Sequence, residues 1–130
     1  PVYGDGMQVR DWLHVHDHCR AMLTVLESGE PGEAYNIPAH NERPNLQTIR
    51  LILDELGKPE SLITYVEDRP GHDVRYSMTG EKLAALGWRP EVEGEAGMRS
   101  AVRWFAEHLD WLEASYARGK AFFAQWYKNR

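Results

Sequence analysis

The chain has 130 residues, 42% of them hydrophobic and 27% charged, with a formal net charge of −5, the size and balance of a single folded domain with a real core. That acidic balance argues against a nucleic-acid partner, whose binders carry a basic face, and no apolar run nears the roughly 18–20 residues that span a bilayer. A single cysteine, Cys19, excludes an internal disulfide and fits a reducing, cytoplasmic setting.

Gln8 to Val15 carry aromatic and β-branched residues behind Gly4-Asp5-Gly6, which reads as a strand. His16 or Asp17 then caps a helix to about Glu27, with Ala21, Met22, Val25 and Leu26 on one face and Asp17 favouring the positive end of its dipole. Gly29 and Pro31-Gly32 stop it, and Ala34 to Ile37 forms a short strand. Asn45 is a good N-cap for the next helix, in which Leu46, Ile49, Ile52, Leu53 and Leu56 keep helical spacing. Gly57 and Pro59 end it. Leu62 to Val66 reads as a third strand, and Thr79 caps a short helix through Leu83 and Leu86, closed by Gly87. From Glu93 a longer helix lines up Met98, Ala101, Val102, Phe105 and Leu109. The aromatic tail (Tyr116, Phe122, Phe123, Trp126, Tyr127) is expected to be helical with a break at Gly119. The order is mixed α/β, short strands with packed helices, and too few strands for a complete doubly wound sheet.

Two motifs carry chemistry. Arg10-Asp11-Trp12 and Asp68-Arg69-Pro70-Gly71-His72-Asp73 each set an arginine beside turn residues, some sixty positions apart. A guanidinium is a planar fork of donors that suits phosphate oxygens, so two of them converging on one cleft would match a pyrophosphate. Plainer readings stand beside this one. Arg10 and Asp11 would serve as a structural ion pair, Asn45 as a cap, Tyr3 as packing on the turn glycines, and 68–72 as a solvated loop. His14, His16, His18 and Cys19 do not complete a tetrahedral metal set, since the last two fall past the strand end. No glycine-rich dinucleotide loop or nucleophile elbow is present in the sequence. The residues alone describe a binding domain for an anionic ligand. The start at Pro1, without methionine or signal peptide, is expected of a piece cut from a longer chain.

These segments resemble, in order, the C-terminal portion of the dTDP-glucose 4,6-dehydratase family of extended short-chain dehydrogenase/reductases. The resemblance rests on Pro1 to Gly6, Val9 to Leu13, Val15-x-Asp17-His18, Tyr35 to Ile37 with Asn41-Glu42 and Asn45, and Leu86-Gly87-Trp88-x-Pro90. Its most specific piece is Ile63 to Tyr76, around Asp68-Arg69-Pro70-Gly71-His72-Asp73. It covers about residues 1–115. Departures are Pro38-Ala39 where the family commonly has two glycines, and His14 in place of an aromatic.

The resemblance implies that residues 1–130 are the substrate-binding domain of a longer NAD-dependent lyase, whose N-terminal Rossmann domain is absent here. That half would hold NAD and the catalytic residues, leaving this chain with no catalytic, cofactor or metal residue. The parent enzyme would act on dTDP-glucose: hydride leaves C4 to NAD, water leaves across C5 and C6, and hydride returns at C6, giving dTDP-4-keto-6-deoxyglucose. Carried over position by position, Pro1, Val2 and Tyr3 line the nucleotide pocket and Arg10 meets the diphosphate. Asn45 with Asp68, Arg69, Pro70, Gly71 and His72 holds nucleoside and phosphates. Family members are commonly homodimers. Two other readings remain open: a non-catalytic nucleotide-sugar binding module, and part of a related nucleotide-sugar epimerase or decarboxylase.

Overall fold

Short strands alternate with helices along residues 1–126, the part of the chain that the computed structural model describes. Strand β1 (Val2–Tyr3) pairs in parallel with β4 (Tyr65–Val66), Val2 opposite Tyr65 and Tyr3 opposite Val66. Strand β2 (Val9–Asp11) pairs antiparallel with β3 (Glu42–Pro44), placing Arg10 opposite Arg43. Neither ladder is long, and the two small sheets act as clips that fix loops.

Helix α1 (Val15–Ser28) begins earlier than the sequence suggests. His14, extended at φ −69° and ψ 140°, is the N-cap, its Nδ1 accepting from the His16 amide. This ends the expected 8–15 strand at Asp11 and releases Asp17, in the first turn, to face inward. Ala21 is fully buried and Val25 half-buried, whereas Met22 and Leu26 of the same expected stripe stand exposed.

Helix α2 (Asn45–Glu55) follows β3 without a gap. Its N-cap is Pro44, not Asn45, and no side chain caps it. The first amides are satisfied instead by the turn after β1: Asn45 N–H donates to the Gln8 carbonyl at 2.9 Å and Leu46 N–H to that of Gly6 at 2.8 Å, so the orphan donors of the helix start are paired. Gly6 sits at φ 72°, and a Cβ there would come within 2.8 Å of Val2 and 3.1 Å of Leu46, which reserves the position for glycine.

The expected strand at 34–37 does not form. Those residues are irregular, with Tyr35 and Ile37 packed on the core and the Asn36 side-chain amide donating to the Thr79 carbonyl. A single-turn 3₁₀ segment spans Glu60–Leu62, which shortens the expected 62–66 strand to β4. Helix α3 (Glu81–Ala85) starts from Gly80 rather than Thr79. Helix α4 (Gly94–Glu107) is capped by Glu93, whose carboxylate accepts from the Glu95 and Ala96 amides. His108 separates α4 from α5 (Leu109–Trp126), so Leu109 belongs to the second helix. Gly119 lies inside α5 and does not interrupt it; Tyr127 is outside the described residues.

The core joins Ala21, Leu83 and Trp88, with Leu13, Val25, Tyr35, Ile37 and Leu86 partly buried around them. Asp17 lies beneath it, its side chain 2% exposed, accepting from Arg20 and from the backbone amides of Glu91 and Val92. Helices α2 and α4 are tied by ion pairs from Arg99 to Asp54 and Glu55 and from Arg103 to Glu55. Among the described residues no helix is long and apolar enough to cross a membrane, and no group of three or more His, Cys, Asp or Glu is placed to hold a metal ion.

Candidate functional site

The parallel pairing of β1 with β4 decides where the 68–73 loop emerges: directly beside the Gly4–Gly6 turn. Gly4 has φ 57°, and a Cβ on it would stand 2.8 Å from Asp68 Oδ2. Asp68 is a hub. Its carboxylate accepts from His72 Nδ1 at 2.6 Å, the Arg69 amide at 2.9 Å and Gln8 Nε2 at 3.1 Å. The His72 contact is the main reason its carboxyl is held below the usual range; burial opposes this, and the Arg69 amide and Gln8 add to the lowering. The His72 ring, 8% exposed, meets Tyr3 edge-on with centroids 6.4 Å apart.

Past His72 the loop is strapped onto β2. Val9 N–H donates to the Val74 carbonyl at 2.8 Å, and Tyr76 N–H donates to that of Val9 at 3.1 Å. Arg75 and Ser77 both donate to Glu42 at the start of β3. Arg10 reaches over this strap. Its guanidinium donates to the Asp73 carbonyl at 3.0 Å and lies 4.1 Å from the Tyr76 ring centroid, a cation–π distance. The Tyr76 hydroxyl donates to Asp73 at 2.6 Å. That bond raises the phenol's pKa, aided by the Asp73 charge, while the charges of Arg10 and Arg69 pull the other way. Arg10 does not pair with Asp11, whose carboxylate instead accepts from the backbone amides of Ala39, His40 and Asn41.

A cleft of about 340 Å³ opens between these loops and α2. Six of the ten residues singled out from sequence line it: Pro1, Val2, Tyr3, Asn45, Arg69 and His72. Asp68 stands behind His72, Pro70 and Gly71 form the exposed turn at the loop tip, and Arg10 lies outside the wall beside Tyr76. Sequence reasoning missed Gln8 and the floor formed by Thr48, Ile49 and Ile52. The floor was legible in principle, since positions 45, 48, 49 and 52 share one helical face. Gln8 is two residues before Arg10 on the same strand approach. Tyr76 was missed as the platform under Arg10, and nothing in its spacing distinguishes it from a loop tyrosine.

The cleft presents a guanidinium, an imidazole and an amide above an apolar floor, suited to an anionic ligand with a flat or sugar-like body. A second hollow, about 430 Å³, lies between the starts of α1 and α4. Among the described residues it is lined by Asp17, Glu91 and Glu93 with His14 and His40 and by no arginine or lysine, the wrong balance for a diphosphate. No described strand, glycine loop and helix follow one another as a dinucleotide seat requires: the turn after β1 leads into another strand. The described residues thus do not fit NAD, and none is assigned to it.

Three comparisons place this geometry among known proteins. The family described as GDP-mannose 4,6 dehydratase matches residues 1–101. The dTDP-glucose 4,6-dehydratase of Neisseria meningitidis serogroup B is 48% identical over 125 residues, a stretch covering 87% of this chain and 35% of that protein. Among solved structures, dTDP-glucose 4,6-dehydratase from Bacillus anthracis in complex with NAD superposes with a TM-score of 0.78 at 44% identity, covering 85% of this chain and 35% of that one. The Streptomyces venezuelae dTDP-glucose 4,6-dehydratase, solved with NAD and TYD bound and, as a double mutant, with NAD and DAU bound, gives a TM-score of 0.81 at 44% identity over the same shares. The chain is thus a homologue of dTDP-glucose 4,6-dehydratase that spans about a third of the length of the relatives it matches.

Proposed function

We propose a substrate-binding role on one premise: the chain belongs to the GDP-mannose 4,6 dehydratase family. Within it, the chain serves as the sugar-nucleotide-binding part of an NAD-dependent dTDP-glucose 4,6-dehydratase, which converts dTDP-glucose to dTDP-4-keto-6-deoxyglucose with loss of water. NAD, bound elsewhere in the enzyme, supplies the hydride chemistry. The residues of this chain hold the handle of the substrate, and binding energy from that remote part can be spent at the reacting carbons. Arg69 and His72 face the diphosphate, Asn45 offers an amide that both donates and accepts, and Tyr3 with the α2 floor packs against the nucleoside. Arg10, pinned by Tyr76 and Asp73, adds positive charge at the cleft edge.

The observation that carries this reading is the convergence of Tyr3, Asn45, Arg69 and His72, drawn from three separate stretches of sequence, on one cleft. In the full-length gene product, Arg69→Ala is expected to weaken dTDP-sugar binding by about 1.5–3 kcal/mol, the scale of a charged hydrogen bond, and Arg10→Ala, outside the cleft wall, by less. Titration calorimetry with dTDP reads this directly. Unchanged affinity in both variants would refute the assignment.

A further inference from the structure

A carboxylate is the wrong sign for a diphosphate pocket, yet Asp68 lies immediately behind the cleft wall. Its hydrogen bonds explain how it is tolerated. Oδ1 takes His72 Nδ1 at 2.6 Å and the Arg69 amide at 2.9 Å, and Oδ2 takes Gln8 Nε2 at 3.1 Å. The carboxylate is committed to the loop and to the β2 approach and contributes nothing to the wall of the cleft. The consequence falls on His72. With Nδ1 bound to a carboxylate, that nitrogen carries a proton, and the ring's other nitrogen decides what it offers a ligand. A neutral ring would turn a lone pair at Nε2 toward the phosphate oxygens. An imidazolium donates at both ends, to Asp68 on one side and to the anion on the other.

We propose that Asp68 is a positioning residue that fixes His72 Nδ1–H and favours the imidazolium in the complex with the diphosphate, so that wherever the free ring is neutral, sugar-nucleotide binding takes up one proton there. The inference rests on the substrate-binding reading above. The proton comes from solvent as the ligand enters and returns to it as the ligand leaves. Other charged or titratable neighbours do not supply the same coupling. Arg69 and Asp73 share the loop, Tyr3 meets the ring edge-on from β1 and Pro1 lines the same cleft. Arg10 approaches from β2 across Tyr76, and α2 contributes only the uncharged Asn45, Thr48, Ile49 and Ile52. Among the described neighbours His72 supplies the one imidazole, the side-chain type suited to a charge change near neutral pH.

The test uses the full-length gene product and dTDP-phenol, a diphosphate diester that does not itself titrate in this range and has no sugar to turn over. Affinity is measured by calorimetry across about pH 5 to 8, in two buffers of different ionisation enthalpy. The wild type is expected to bind most tightly at the acid end. Affinity then falls by up to about tenfold per pH unit above the His72 midpoint, and up to one proton is taken up per ligand. Asp68→Asn is expected to move that midpoint to lower pH, and His72→Gln, which keeps an N–H donor, to flatten the profile and abolish the uptake. A flat wild-type profile, or an Asp68→Asn midpoint equal to the wild type's, would overturn the proposal while leaving the cleft assignment standing. Absence of binding at every pH would bring down both. Should Asp68→Asn fail to fold, wild-type proton uptake and its loss in His72→Gln decide the matter.

Discussion

Two aspartates show how much a single carboxylate can organise when it turns toward backbone. Asp11 gathers the Ala39, His40 and Asn41 amides, with His40 at φ 56°, a left-handed conformation that costs a non-glycine residue energy. Asp17 does more. From the first turn of α1 it accepts from the Glu91 and Val92 amides, 74 and 75 positions away, and from Arg20. Burial is the largest single influence on its carboxyl and raises the pKa, but the Val92 and Glu91 amides and Arg20 together outweigh it and leave the group below its ordinary value. A depressed carboxyl stabilises the fold fully above the unfolded pKa of about 3.9, and that contribution is lost as pH falls through the folded value. Asp17→Ala leaves the Glu91 and Val92 amides without a partner while Arg20, half exposed, keeps Glu91, so a loss of about 1–3 kcal/mol is expected. Asp17→Asn should lose less and should shed part of the wild type's acid sensitivity below about pH 3.9. Urea titrations of the full-length gene product at neutral and acid pH read both effects; equal acid sensitivity in wild type and Asp17→Asn would remove Asp17 from this role. Sequence placed Asp17 at the helix start and saw only the dipole, because nothing local announces a partner so far along the chain.

Elements were legible where their signal was local. The spacing of Leu46, Ile49, Ile52 and Leu53 gave α2, and the same periodicity from Asn45 sets the cleft floor. Caps were not legible, because the donors at α2's start are satisfied by the Gly6 and Gln8 carbonyls instead of by a side chain. The 34–37 stretch failed for a related reason. Its β-like composition needs a neighbouring strand for its ladder, and the described residues offer it instead a place against α3, where Asn36 meets Thr79. Gly80 sits at that contact: an added Cβ would come within 2.5 Å of Pro38 Cδ and 2.7 Å of its Cγ. A proline ring cannot swing aside as a flexible side chain does. Gly80→Ala is therefore expected to destabilise by about 1–3 kcal/mol through overpacking, despite alanine's lower backbone entropy cost. A thermal melt of the variant at or above the wild-type midpoint would show that 34–38 yields freely and is not held against α3.

At the scale of the whole molecule, the buried core is small. Among the described residues the buried hydrophobics are Val2, Ala21, Leu51, Leu83 and Trp88, few for a chain of 130 residues. Large apolar side chains meanwhile face outward. On α1, Leu26 is 82% and Val15 63% exposed, with Met22 and Leu23 beside them; Trp104, Phe105, Leu109 and Trp111 form a second exposed group where α4 meets α5. The helical periodicity that identified α1 and α4 could not separate a stripe covered within this chain from one left open, since both read alike in sequence. Contiguous exposed apolar surface drives association whenever nothing covers it. Purified by itself, the 130-residue chain is expected to self-associate, with a sedimentation coefficient that rises with concentration and strong binding of an apolar dye. On the proposed reading, it should also give no dehydratase turnover when dTDP-glucose and NAD are added. A monodisperse monomer that leaves the dye unbound would mean these side chains find cover within the chain, and product from the pure chain would mean that chemistry resides here too. The two measurements separate the questions: the first addresses how the helices are covered, the second what the cleft can do, and neither outcome decides the other.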